Sequence, residues 1–218
     1  FTVTYNIYTA PVAKHKVFGV SYMTMNNPFY KIINNEILKV VEKNNDTLIT
    51  LDPELDVDKQ NEQIYKFIDQ KVDGIFINPI DFEQIEPALQ AAKRANIPVI
   101  IIDAPVSDES LVNCTIVSDN YQAGADCARH LAAHTGGGNI VLLEHTEAKS
   151  AVDRIRGFTD TILAYPSFHI IDRAECKGQL ELAMPAMEKM LAKNQQIDIV
   201  MALNDPAALG AMAALKNA

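Results

Sequence analysis

Residues 17–30 read VFGVSYMTMNNPFY, and the change of character within this stretch decides the fold. The apolar run Val17–Val20 predicts a short buried strand. Pro28 suits the first position of a helix, where its missing N–H costs nothing, and Asn27 then falls at the N-cap that Asn favours. The stretch therefore predicts a strand, a polar corner and a helix. Capping explains the Asn-Pro pair but not the adjacent aromatic rings of Phe29 and Tyr30.

The same alternation of short apolar runs and longer amphipathic segments continues to the last residue. It predicts strands at 17–20, 47–51, 74–78, 98–103, 114–118, 140–144, 169–172 and 197–203, and helices at 28–44, 58–71, 82–95, 121–134, 151–164, 180–193 and 207–217. Apolar strands that alternate with helices are typical of parallel sheets covered on both faces. We therefore predict an α/β protein with two Rossmann-like lobes.

One connection breaks the alternation and suggests where the lobes divide. Residues 104–113 (APVSDESLVN) join two predicted strands without a helix between them. We predict an N-terminal lobe over 17–118 and a C-terminal lobe over 119–218, with 1–16 as an extension or linker. The second lobe offers three strands and four helices, and no strand follows its last helix. We therefore expect this lobe to be C-terminally truncated.

The composition limits the kinds of partner and bound group. A net charge of −9 argues against a nucleic-acid partner, which would require a basic face. Cys114, Cys127 and Cys176 are widely spaced and form no C-x-x-C motif, so they indicate neither a disulfide framework nor a zinc site. We expect three buried thiols that act as small hydrophobic side chains, no metal and no cofactor.

Polar side chains follow the predicted strands in both lobes. Asn26 and Asn27 follow the first strand, Asp103 ends the fourth, Arg154 lies near the start of the helix after the sixth, and Asn204 follows the last. Ligands of open α/β sheets bind outside the carboxyl ends of the strands. Two facing lobes would gather these groups around one cleft. Forked polar groups beside aromatic rings suit a sugar or a polyol.

Six motifs in register carry a resemblance to a known family. They are NNPFY at 26–30, GIFINP at 74–79, NIPVIIID at 96–103, VSDN at 117–120, Ser150-Ala151 with RIRGF at 154–158, and ALNDPAALGAMAAL at 202–215. In this order and spacing they resemble the bacterial type I periplasmic sugar-binding proteins, such as the ribose- and galactose-binding proteins. The resemblance implies that two lobes close on a sugar without any chemical reaction, so we expect no enzyme activity.

The resemblance also implies a set of ligand-binding residues. They are Asn27, Phe29, Tyr30, Asp103, Arg154 and Asn204. Two departures from the pattern argue against ribose itself. Ala104 stands where the pentose binders often carry Arg, and the stretch ECKGQ at 175–179 lacks an expected aromatic residue. A different monosaccharide, a sugar alcohol or a cyclitol is expected instead.

The partners and location follow from the same resemblance. We expect delivery of the ligand to an ABC permease, a periplasmic or extracellular membrane-associated location, and a homodimer formed through the truncated lobe. Two other functions use the same core: the extracellular sugar-sensing domain of a signalling system, and a LacI-type repressor core without its DNA-binding part. An enzyme would require a catalytic motif. The pair His130 and His134 at i, i+4 has no evident third metal ligand, and a packed or solvated helix face explains it better.

Overall fold

A computed structural model describes residues 15–194 and 196–217, and it contains all the predicted strands and helices. The strands are β1 Val17–Ser21, β2 Thr47–Leu51, β3 Gly74–Ile77, β4 Val99–Ile102, β5 Cys114–Ile116, β6 Gly138–Glu144, β7 Phe168–Glu175 and β8 Ile199–Ala202. The helices are α1 Pro28–Lys43, α2 Val57–Asp69, α3 Glu86–Arg94, α4 Asn120–His134, α5 Lys149–Ile162, α6 Leu180–Lys193 and α7 Asp205–Asn217. The extension predicted at 1–16 lies outside the described residues except for its last two.

The strands form two sheets in which every pairing is parallel. The first sheet has the order β2-β1-β3-β4-β5, and the second has the order β7-β6-β8. Parallel neighbours need crossover connections, which α-helices supply in every case except between β4 and β5. The predicted α/β fold with two parallel sheets is confirmed. The boundary between lobes near residue 118 stays a prediction.

The two sheets share a continuous apolar core. Val20, Tyr22 and Tyr30 from the first part of the chain pack in one buried cluster with Leu142 and Phe158 from the second. A second buried apolar cluster contains only residues from the first part of the chain, such as Phe67 of α2 and Leu89 of α3. Because the larger cluster crosses from one sheet to the other, the two parts of the chain are packed against each other in this structure.

Helices α4 and α5 approach so closely that glycine is required at the contact. A Cβ atom on Gly124 would lie 1.8 Å from the carbonyl oxygen of Arg154, and one on Gly157 would lie 1.9 Å from that of Tyr121. No side chain fits at such distances. The two glycines therefore fix the seating of α5, which also carries the Arg154 side chain.

Three details differ from the sequence predictions. The prediction of three buried thiols is wrong for Cys114 and Cys127, which are exposed; only Cys176 is buried. Helix α3 begins at Glu86, four residues later than predicted. The Asp81 carboxylate accepts hydrogen bonds from the backbone N–H groups of Glu83 and Gln84, so these residues form a separate turn before the helix. A short 3-10 helix, Glu109–Leu111, occupies part of the connection predicted as a loop.

Candidate ligand-binding cleft

A cavity of about 660 Å³ lies where the carboxyl ends of the two sheets meet. Its wall draws on the loops after β1 and β4 of the first sheet and on those after β6, β7 and β8 of the second. All six residues predicted to bind ligand line it: Asn27, Phe29, Tyr30, Asp103, Arg154 and Asn204. The structure thus brings together side chains that are up to 177 positions apart in the sequence (204 − 27).

The two aromatic residues of the first corner divide into a buried ring and an exposed ring. Tyr30 is 6% exposed and stacks on the fully buried Tyr22, with ring centroids 5.6 Å apart. Phe29 is 48% exposed and meets Tyr30 edge-on at 5.4 Å. Tyr30 therefore shapes the floor of the cavity, while Phe29 offers a free apolar face at its mouth.

Asn27 caps the helix that carries both rings. Its side-chain oxygen accepts a hydrogen bond from the Phe29 N–H at 3.0 Å, and Pro28 occupies the first helical turn as predicted. The cap satisfies one of the free N–H groups at the helix start. It also fixes the direction in which the Asn27 amide faces the cavity.

Asp103 combines an unusual backbone with a partly buried carboxylate. Its φ of +70° lies in the left-handed region, which Asp tolerates better than most residues. Asn78 Nδ2 approaches its Oδ2 atom at 3.4 Å. Burial raises the pKa of Asp103, while the Arg154 charge and hydrogen bonds from Asn78 and Tyr30 oppose that rise. The group is thus a carboxylate with little water around it, which makes its remaining hydrogen bonds strong.

Arg154 reaches the cavity from α5 and is held at both ends of its guanidinium. One terminal nitrogen donates to the carbonyl oxygen of Leu203 and the other to Oδ1 of Asn120. These bonds use two of the five donors of the group and lock its plane. The remaining donors are free to fork onto vicinal hydroxyls.

Asn204 follows β8 and repeats the arrangement seen at Asn27. Its Oδ1 accepts from the Ala207 N–H at 3.0 Å at the start of α7, and its Nδ2 donates to the carbonyl oxygen of Gly178 at 3.1 Å. The residue ties the loop after β7 to the loop after β8. Its second amide hydrogen and spare lone pair are available to a ligand.

The sequence predictions missed several polar residues on the second-sheet wall. The cavity is also lined by five polar residues that are not among those predicted to bind ligand: His145, Ser150, Lys177, Gln179 and Glu181. Most of them follow the carboxyl ends of β6 and β7. The rule that located Asp103 and Asn204 could have found them, had every strand end been examined for Lys, Gln and Ser as well.

His145 is the most buried of these residues, at 3% exposure. Burial lowers the pKa of His145, while the charges of Glu175, Glu147 and Asp81 oppose that lowering. Its Nε2 atom has no hydrogen-bond partner among the described residues, and the nearest carboxylate oxygen, Glu147 Oε2, is 3.8 Å away. The imidazole is therefore a neutral group at the cavity wall near physiological pH.

A comparison with family models settles what kind of protein carries this cleft. A model described as "Periplasmic binding protein domain" matches residues 18–218. The chain belongs to the periplasmic binding protein family. The resemblance read from the six motifs is thereby confirmed.

Individual relatives of this periplasmic binding protein domain have names that refer to sugars. It is 30% identical over 205 residues to the ribose import binding protein of Bacillus subtilis and 34% identical over 187 residues to the galactofuranose-binding protein of Escherichia coli. These alignments cover 94% and 81% of this chain, but only 67% and 58% of the relatives' lengths. The chain thus spans about three fifths to two thirds of the two proteins.

A solved structure extends the similarity to the fold. A fructose-binding periplasmic domain of a hybrid two-component system superposes with a TM-score of 0.87 at 27% identity, covering 93% of this chain and 68% of that one. The relatives named here are binding proteins. No helix of the described residues is long and apolar enough to cross a membrane.

Proposed function

We propose that this chain captures a monosaccharide or polyol in the cleft between its two lobes. The observation that carries the proposal is the convergence of Asn27, Asp103, Arg154 and Asn204 on one cavity with the open face of Phe29. Carboxylate, amide and guanidinium groups bind hydroxyls from several directions, and an aromatic face covers the C–H side of a sugar ring. Names of relatives that refer to ribose, galactofuranose and fructose support the same class of ligand.

The wall chemistry favours a neutral ligand. The charged groups around the cavity include Asp103, Glu181 and Asp205 on the acidic side and Arg154 and Lys177 on the basic side. This near balance offers no net attraction for a phosphate or a uronate. The small Ala104 side chain also removes a forked donor that a pentose binder often uses, so the proposed ligand is a monosaccharide or polyol other than ribose.

A ligand panel tests this function. The purified chain is mixed with D-ribose, D-fructose, D-galactose, xylitol, myo-inositol and, as charged controls, glucuronate and glucose 6-phosphate. Thermal unfolding reports binding because a ligand that prefers the native state raises the transition temperature, and native mass spectrometry gives the adduct mass. A neutral sugar or polyol is expected to shift the transition. A response to the charged controls alone would contradict the proposal.

The ligand is proposed to be delivered to an ABC permease, with this protein in the periplasm or, associated with the membrane, outside the cell. The permease would bind the surface that the two lobes form only when they are closed around the ligand. Sensing is the second candidate, because one solved structure of the same fold is the fructose-binding part of a two-component system. Sugar-dependent stimulation of the ATPase of a reconstituted permease would support transport. Binding without any such stimulation would favour sensing.

A homodimer through the second lobe is proposed as well. Three apolar side chains of α7, Leu209, Met212 and Leu215, are about half exposed. Exposed apolar faces of this kind are common at interfaces between subunits. Sedimentation velocity at several concentrations tests the pairing, and a monodisperse monomer at every concentration would contradict it.

A further inference from the structure

A buried amide side chain joins three strand ends behind the cavity. Asn78 follows β3 and has no exposed surface. Its Nδ2 group donates to the carbonyl oxygen of Ile102 at 3.1 Å and approaches the Asp103 carboxylate at 3.4 Å, while its Oδ1 atom accepts from the Met23 N–H at 3.2 Å. Asn78 thereby connects the loop after β1 to the end of β4, where the ligand-facing carboxylate begins.

The buried amide of Gln60 hydrogen-bonds to the backbone on both sides of the Asn78 side chain. Gln60 lies on α2 and is 1% exposed. Its Nε2 group donates to the carbonyl oxygens of Asn78 at 3.0 Å and Tyr22 at 3.4 Å, and its Oε1 atom accepts from the Ile80 N–H at 2.9 Å. Buried networks whose members are satisfied in this way are rigid and specify one arrangement. The loop after β3 is therefore fixed on both sides of Asn78.

The Asp103 side chain needs such support more than an ordinary residue does. Its backbone lies at a positive φ, which persists only where the surroundings impose it. A carboxylate on a strained turn has several rotamers open to it, and one oxygen pinned by a neighbour leaves the other oxygen with a defined direction. Pre-arranged groups bind more tightly because less ordering remains to be done on binding.

We propose that Asn78 is a positioning residue: its amide orients the Asp103 carboxylate toward the cavity, and Gln60 holds Asn78 in place. This inference rests on the proposed sugar-binding function for its effect on affinity. The orientation of Asp103 by Asn78 is independent of any ligand. The two can therefore be tested separately.

A double-mutant cycle tests the effect on affinity. Asn78→Asp keeps the acceptor for Met23 but replaces the donor facing Asp103 with a like charge. With the best sugar of the panel, we expect it to weaken binding by about tenfold or more in the wild-type background but by less than about threefold in an Asp103→Asn background. Asn34→Asp is the matched control, because Asn34 only accepts a hydrogen bond from Thr50 and lies away from the cavity. Equal losses from Asn78→Asp in both backgrounds would show that Asn78 merely supports the fold.

A titration of the Asp103 carboxyl carbon by ¹³C NMR tests the orientation without a ligand. We expect the pKa of Asp103 to rise in Asn78→Asp and to stay unchanged in Asn34→Asp. An unchanged pKa in both variants would overturn the proposal, even if sugar binds. If the wild type binds no sugar while this pKa still responds, the proposed function fails and the positioning role stands.

Gln60→Glu repeats both measurements in case Asn78→Asp does not fold. It keeps the acceptor for Ile80 and removes the donors to the Asn78 and Tyr22 carbonyls. We expect a smaller loss of affinity, about threefold, that again disappears when Asp103 is replaced by Asn. A loss of equal size without the Asp103 carboxylate would count against the proposal.

Discussion

Replacing Asp103 with Asn should weaken sugar binding and leave the fold as stable as before or more so. Asn is the right replacement because it tolerates the φ of +70° at this position, whereas Ala would add backbone strain to the effect. The change removes the negative charge and keeps one acceptor oxygen. It therefore isolates the contribution of the charge to binding.

The size of the loss follows from the geometry of the carboxylate. Asn78 and Tyr30 use about two of the four acceptor positions of the carboxylate, which leaves positions for about two ligand hydroxyls. A hydrogen bond to a charged group contributes about 1.5–3 kcal/mol and a neutral one about 0.5–1.5 kcal/mol, so each contact loses roughly 1–1.5 kcal/mol. Two contacts then lose about 2–3 kcal/mol, which is a weakening of about 30- to 150-fold.

The same Asp103→Asn exchange should raise the free energy of unfolding at neutral pH while it weakens binding. Burial raises the pKa of Asp103 above its unfolded value, so the native state binds more protons than the unfolded state between the two pKa values. The stability of the wild type therefore falls as pH rises through that window and stays lower at neutral pH. The Asp103→Asn variant does not lose this stability. Its free energy of unfolding should therefore exceed that of the wild type at neutral pH and equal it below a pH of about 4.

Calorimetric titration with the best sugar and urea unfolding at pH 7 and pH 3.5 measure the two effects. Asp69→Asn is the matched control, since Asp69 is exposed on α2 and the charge change is the same. Affinity of the Asp103→Asn variant within twofold of the wild type would refute the assignment of Asp103 to the ligand. A variant clearly less stable than the wild type at pH 7 would refute the account of its burial.

Three further predictions address other parts of the molecule. Phe29→Ala should weaken sugar binding by about fivefold while changing stability by less than about 1 kcal/mol, because the ring is half exposed without ligand. Calorimetry and urea unfolding compare it with Val40→Ala, an exposed apolar residue three turns further along α1 and outside the cavity wall. Burial lowers the pKa of His145, so the unfolded chain takes up more protons than the native state as pH falls below about 6.5, and the wild type loses stability. His145→Leu should remove this loss. If the free energy of unfolding of wild type and variant changed with the same slope between pH 7.5 and 5.5, the prediction would be contradicted. Gly124→Ala should destabilise the protein by several kcal/mol in thermal unfolding, because its methyl group would overlap the Arg154 carbonyl, whereas Gly136→Ala, with open space around it, should not.

Much of this architecture could be predicted from the sequence because its signals are local. A parallel strand buried on both faces must be apolar, and a helix start needs a cap, so Val17–Val20 and the Asn27-Pro28 pair fix the first corner. The rule that ligands bind beyond the carboxyl ends of strands then gathers distant residues such as Asp103 and Asn204. Neither step requires knowledge of tertiary packing.

Other features depend on tertiary contacts that no local pattern encodes. Phe29 and Tyr30 are adjacent and similar, and only the ring of Tyr22 beneath them decides which one is buried. Cys127 sits on a helix whose apolar face is set by its contact with α5, and the thiol falls outside that face. The role of Gly124 likewise becomes visible only when the neighbouring helix is in place.

The same amides serve the fold and the cavity, and this affects how such a site can be altered. Asn27 and Asn204 each use the side-chain oxygen to satisfy an N–H group at a helix start, which leaves amide N–H groups for a ligand. An alanine at either position removes the cap, at about 1 kcal/mol, together with the proposed ligand contact, so the two losses cannot be separated. Asp at position 27 keeps the cap, and it replaces the amide donor with a charged acceptor. Because Asn27 is both a helix cap and part of the cavity wall, an Asn27→Asp exchange should alter the ligand preference at little cost to the fold, whereas Asn204→Asp would also break the hydrogen bond to the Gly178 carbonyl.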